Sequence, residues 1–329
     1  MLRTAHPRQG HPGEKTMTPV AVPIVLRATS WDHALAETLS GAAERAFGDA
    51  AVGTVHSVHR RVVNVLFGNT LVAIADDGID DAPATIRVPL SEWDSRGIRQ
   101  GSTVVARLDR IEFAGAHSAP VVSLSGATGW EAPRADLSAL TADDLTAALA
   151  VLDVLPSPAP ATPFGRAADG MLRTRIGMLR TALLESDDSA VRTGASALIG
   201  LGEGLTPSGD DVLTGLALLA AQDGMLLTRS LPALSDAIHA GATRTGLLSA
   251  TTMAQAADGR GRRRLHDLIS AVCDRDAAAL RRTADRILRI GHTSGADILT
   301  GIRLALDVER ETRSAGSTFP QDDEKKEQS

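Results

Sequence analysis

One change of hydrophobic period divides this chain. From about residue 51 to 125 the apolar runs are short and rich in β-branched residues (RVVNVLF, TLVAIAD, ATIRVPL, TVVARLDRIEF, PVVSLS) and are parted by turn residues. Beyond about residue 135 the apolar positions recur every three or four residues in sequence rich in Ala, Leu and Arg. Alternation suits one face of a strand and the longer period one face of a helix, so the two halves require different architectures. The expectation is an α+β chain: an N-terminal β-rich barrel or sandwich domain, antiparallel, followed by a mainly α-helical domain. Gly68-Asn69, between the first two runs, is a two-residue hairpin signal. Ahead of the strands, SWDHALAETLSGAAERAF reads as one amphipathic helix capped by Ser30 or Asp32.

The joint falls in GATGWEAPRADLSALTADD, with a second, Pro-rich hinge in LPSPAPATPFG. This divides the chain into a disordered tail (1–17), a β-rich domain with one leading helix (18–130), an α-helical domain (131–312) and a disordered tail (313–329). Met17 is a candidate start. Helices are expected near 169–185, 187–199, 210–224, 231–243, 249–257, 262–272, 274–290 and 297–312. In the sixth and seventh of these, Leu265, Leu268, Ile269, Leu280, Ala284, Ile287 and Leu288 make a single apolar face.

Composition excludes several functions. With five Phe, three Trp, no Tyr and a net charge of -6, the chain offers neither stacking platforms nor attraction for a phosphate backbone, so no nucleic acid is expected. No apolar run approaches the ~18 residues a membrane helix needs, so no membrane is expected either. A single cysteine, Cys273, leaves no internal disulfide to form and fits a cytoplasmic protein.

Within the helical half the sequence echoes itself. TPSGDDVLTGLALL and HTSGADILTGIRLAL align with Ser208 on Ser294, Gly209 on Gly295, Asp211 on Asp297 and Gly215 on Gly301. Internal duplication and convergence on one local solution both account for this. The spacing S-x-x-D matches an N-terminal helix cap, and Gly215 and Gly301 suit close packing of two helices.

Capping leaves Gly200, Gly202, Gly204, the second acid Asp210 and His292 without a purpose. A glycine-rich turn leading into a helix can present several amides to an anion. The candidate substrate-binding set is therefore Gly202, Gly204, Thr206, Ser208, Gly209, Ser294 and Gly295, and the ligand a small anion. Asp210, Asp211, His292 and Asp297 are the candidate catalytic residues, His292 as the proton carrier. Asp210 and Asp211, with Glu203 and Asp297 nearby in the pattern, are candidates to hold Mg²⁺. The run GRGRRR (Arg260, Arg262, Arg263, Arg264) is either a cationic loop over this site or a solvated turn. Thr251 and Thr252 are candidates to line the same cleft or to serve as helix caps. A P-loop ending, a nucleophile elbow and zinc spacings are absent from the sequence.

The pair GLGEGLTPSGDDVLTG and GHTSGADILTG resembles the signature of a bacterial family, long described as a domain of unknown function, that includes the AllH subunit of oxamate carbamoyltransferase. The resemblance spans about residues 50 to 310. It implies a subunit of an allantoin- (purine-) catabolic enzyme that interconverts oxalurate and phosphate with oxamate and carbamoyl phosphate, in a complex with two other protein types. The basic motif by which aspartate transcarbamoylase-like enzymes bind carbamoyl phosphate is absent, so the transfer implied here uses a different site or a partner subunit. The alternative is a non-catalytic, anion-sensing or scaffolding subunit of a metabolic complex.

Overall fold

The computed structural model describes residues 24–317 apart from 37, 40–49, 108, 117–118 and 157–161. Within them the α+β expectation holds: a curled ten-stranded sheet is followed by helices, and each half has its own apolar core. The strands are β1 (Val25–Arg27), β2 (Ser30–Asp32), β3 (Ala51–Val58), β4 (Val62–Phe67), β5 (Thr70–Asp76), β6 (Thr85–Val88), β7 (Thr103–Arg107), β8 (Arg110–Phe113), β9 (Val121–Ser123) and β10 (Thr128–Trp130). Their order is β1-β9-β8-β7-β3-β4-β5-β6-β2-β10. β1 and β2 are separated only by Ala28 and Thr29, yet β1 pairs with β9 and β2 with β6. One short segment thus touches both ends of the strand order, which curls the sheet toward a half-barrel.

The hairpin at Gly68-Asn69 forms as its sequence signals: Phe67 pairs with Thr70, and Gly68 takes φ +57. The sheet is not wholly antiparallel. β5 and β6 run parallel, because the intervening 77–84 segment returns along the sheet before β6 begins beside Ala73. That returning segment carries Asp80 and Asp81 toward the helical half. Burial alternates along β3, where Ala51, Gly53 and Val55 turn inward, and a Cβ on Gly53 would stand 2.7 Å from the Phe67 ring. Trp93, Phe67, Ile74, Ile86 and Ile111 fill this core.

Ser30 and Asp32 are strand residues rather than alternative caps. The Ser30 hydroxyl donates to Asp81, although Asp32 does accept the Ala34 N–H at 3.2 Å. Most of the helix expected after them, and the expected 1–17 tail, lie outside the described residues.

The helices are α1 (Ala142–Asp153), α2 (Pro163–Glu185), α3 (Asp188–Leu198), α4 (Ser208–Ala220), α5 (Leu231–Gly241), α6 (Leu247–Ala257), α7 (Arg263–Cys273), α8 (Ala277–Ile287) and α9 (Ser294–Ser317). α1 lies between the two expected joints and is not among the expected helices; Thr141 and Asp144 close a reciprocal capping box at its start. α9 starts three residues earlier than expected and continues to Ser317, and the rest of the expected tail is outside the described residues. The apolar face read on α7 and α8 is buried as expected, with Leu288 at its margin. α4 is buried from Gly209 through Ala220, which is why it is apolar on every side, and α9 crosses it. No helix among the described residues is long and apolar enough to cross a membrane.

The arginine run joins the two halves. Arg260 pairs with Asp32 at 2.6 Å, Arg263 with Asp81 at 3.1 Å and Arg264 with Asp80 at 3.7 Å. It is therefore neither wholly a loop over the glycine-rich turn nor a solvated turn.

Candidate functional site

The two echoed stretches fold as two turns of one construction. In the first, Leu201 N–H donates to Leu198 O, Gly209 N–H to Leu201 O, and the Asp210 and Asp211 amides to Pro207 O. In the second, Ile290 N–H donates to Ile287 O, Gly295 N–H to Ile290 O, and the Ala296 and Asp297 amides to Thr293 O. The first turn carries the longer insertion, residues 202–207 against 291–293.

This geometry corrects two expectations. Gly209 and Gly295 do not offer free amides to a substrate; they are closest-approach residues, and a Cβ on either would lie 2.0 Å from the carbonyl oxygen of Leu198 or Ile287. Nor does Ser208 cap its own helix. The cap position of α4 is Pro207, whose ring carries no acceptor for a side-chain cap bond, and whose carbonyl accepts the Asp210 and Asp211 amides.

The hydroxyls and acids work across the pair instead. The two entrances meet where Thr206 Oγ1 and Ser294 Oγ share a hydrogen bond of 2.9 Å. The Asp211 carboxyl faces Ser294 and Thr206, while that of Asp297 faces Ser208 and Thr293. Each acid thus reaches into the opposite turn.

Asp211 is 5 % exposed, and its Oδ2 has no hydrogen-bond partner among the described residues; Asp297 Oδ2 is likewise unpartnered. Burial raises the Asp211 pKa to about 7, against the hydrogen bonds of Ser294 and Thr206 and with help from the charges of Asp297 and Asp210. Burial also raises Asp297, opposed by Ser208 and Thr293 and reinforced by Asp169. Asp211 is therefore available to hold a proton near neutral pH.

Two cavities meet at this junction. One, of about 580 Å³, is lined by Gly202, Glu203, Gly204, Thr206, Ser208, His292, Ser294 and Asp297. The other, of about 360 Å³, lies between sheet and helices and reaches Asp211, Thr251, Thr252 and Arg262. Thr206, Ser294, Leu205, Leu248 and Gly291 face both. Gly202 and Gly204 take φ +129 and +98, which shapes the turn. Among the described residues, the amides of residues 203–206 and 291–293 donate to no protein carbonyl or side chain.

Asp210 stands apart from the other expected catalytic acids. It is 1 % exposed, accepts the Gly200 N–H at 2.8 Å on Oδ1 and the Thr245 hydroxyl on Oδ2, and lines neither cavity. Its task is to hold the turn. Glu203 accepts the Thr162 hydroxyl. Among the described residues no three His, Cys, Asp or Glu side chains gather as a metal site, and both carboxyl oxygens of Asp210 are taken by protein donors. Thr245 went unread in the sequence because nothing in local spacing signals a partner so far along the chain.

Residues 198–306 match the family model described as oxamate carbamoyltransferase subunit AllH, and residues 27–129 match that of the AllH family N-terminal domain. No solved structure matches the chain. The first match covers the crossing helices with both turns and the second covers most of the curled sheet, so the chain belongs to the AllH family, named as a subunit of oxamate carbamoyltransferase.

Proposed function

We propose that this chain holds a small anionic substrate at the paired turns, as one subunit of a cytoplasmic oxamate carbamoyltransferase that works with partner proteins. The observation that carries this reading is the convergence of the two turns at Thr206 and Ser294, with the buried carboxyl of Asp211 and the half-buried Asp297 on either side. Carboxylates beside an anion repel it, but these two have raised pKa values and in their neutral forms can donate hydrogen bonds instead. The unengaged amides of the 203–206 and 291–293 turns supply further donors.

In carbamoyl transfer the oxamate nitrogen attacks the carbonyl carbon of carbamoyl phosphate. A C–N bond forms, the C–O bond to phosphate breaks, and the nitrogen gives up one proton. Asp211 is the residue we assign to that proton, since a pKa near the operating pH suits a group that must both take and release it. Asp297 and His292 line the chamber beyond, where they bind the second substrate or pass the proton outward. Asp210 positions the turn.

The test is turnover of oxalurate and phosphate by the complex assembled with its partner subunits. Asp211→Asn keeps size and hydrogen-bonding capacity but cannot exchange the proton; a loss of about 10²-fold or more with assembly unchanged is expected. Unchanged turnover removes the catalytic reading and leaves a scaffolding subunit.

A further inference from the structure

The cleft between sheet and helices is built for more than a small polar anion. Its 360 Å³ equals the space of about a dozen waters at ~30 Å³ each. Its walls are largely aliphatic, with Leu71, Ala73 and Ala84 on the sheet side and Leu248, Leu265 and Ile298 on the helical side.

Among the described residues, one cation in this cleft is unengaged. Arg260, Arg263 and Arg264 are paired with Asp32, Asp81 and Asp80, and Arg61, also in the wall, with Asp76. Arg262 is half-buried and makes no ion pair or side-chain hydrogen bond among the described residues. The loop holds it in place. Gly261 N–H donates to His266 Nε2 at 3.1 Å, and burial lowers the His266 pKa to about 4, which keeps the ring a neutral acceptor. On the other side Arg263 N–H donates to Asp81 O at 2.8 Å. A Cβ on Gly261 would lie 2.7 Å from the Leu218 side chain, so the backbone is pressed against the core just before Arg262.

We propose that this cleft binds a second ligand, an amphiphilic organic anion whose single carboxylate, sulfonate or phosphate head pairs with Arg262 and whose apolar body lies along Leu71, Leu248 and Ile298. A neutral apolar molecule leaves the half-buried guanidinium unpaired, and a small polar anion leaves the aliphatic walls wet; an amphiphilic anion satisfies both. Thr206, Ser294 and Asp211 also line the cleft, so the ligand's binding is felt at the paired turns.

The test uses the full chain with the fluorescent probe anilinonaphthalene sulfonate. Saturable binding at one site per chain is expected, weakened tenfold or more in Arg262→Gln and abolished in Thr251→Trp, which fills the cleft, with melting curves confirming that both variants fold. Independently of any variant, octanoate should displace the probe from the wild-type chain and octylammonium should not. Equal displacement by both, displacement by neither, or full-strength probe binding in folded Arg262→Gln overturns the proposal. Arg262 has no part in the site at the turns, so these results stand apart from the turnover of Asp211→Asn.

Discussion

Gly215 on α4 and Gly301 on α9 occupy reciprocal places at the crossing of the two helices. A Cβ on Gly215 would lie 2.1 Å from Ile298 O, and one on Gly301 would lie 1.9 Å from Val212 O. The repeated sequence is thus a repeated contact, with the two backbones touching where neither has a side chain. Backbone atoms cannot rotate away as a side-chain tip can, so Gly301→Ala is expected to cost about 3 kcal/mol, the upper end of overpacking penalties. Gly177, in α2, faces open space, and Gly177→Ala should instead stabilise by roughly 1 kcal/mol through helix propensity. Denaturant unfolding of the two variants distinguishes the sites.

Asp211 makes stability depend on pH. In the unfolded chain its carboxyl titrates near 3.8, whereas the folded protein holds it at about 7. Between those values the native state keeps a proton that the unfolded state has lost, so stability falls as pH rises through this window and levels off above about 7. The raised pKa of Asp297 acts in the same direction. Asp211→Asn should lose much of this decline and gain up to ~4 kcal/mol over the parent above neutrality. Chemical unfolding across the window measures it; an identical pH profile in the variant contradicts the assignment.

Asp210 is expected to behave oppositely. Asp210→Ala leaves the Gly200 N–H and the Thr245 hydroxyl without their acceptor. A stability loss of about 3 kcal/mol is expected, with little dependence on substrate. Proteolysis within the 200–207 turn should accelerate in this variant; an unchanged melting curve argues against a positioning role.

The halves are fastened at Asp32, which is 1 % exposed and accepts from Ala84 N–H and Arg260. Arg260→Met leaves this carboxylate buried without its cation, at a cost of about 3–5 kcal/mol. Reversal by the second change Asp32→Asn is expected, and a double-mutant cycle reads the coupling.

What the sequence disclosed about this molecule was local. Period, hairpin and repeat are written in neighbouring residues, so the strand-rich half, the Gly68-Asn69 turn and the Gly215 and Gly301 crossing were legible. The partners of Ser208, Asp210 and Asp211 were not. S-x-x-D spells a self-contained cap, but Pro207 takes over the amides, which frees the serines and acids to meet across the pair. Gly209 and Gly295 read as ligand-facing amides for a related reason: glycine marks a close approach without saying what approaches, and here it is the carbonyls of Leu198 and Ile287. The parallel β5–β6 pair escaped because the course of the 77–84 segment is set by its acids reaching the arginines far down the chain.

The most direct test of one shared site is a double-mutant cycle on Thr206→Val and Ser294→Ala, read as kcat/KM for oxalurate phosphorolysis by the assembled complex. A common site predicts losses that fail to add by about 1 kcal/mol or more, since either change breaks the same hydroxyl pair. Strictly additive losses, or none, would contradict it.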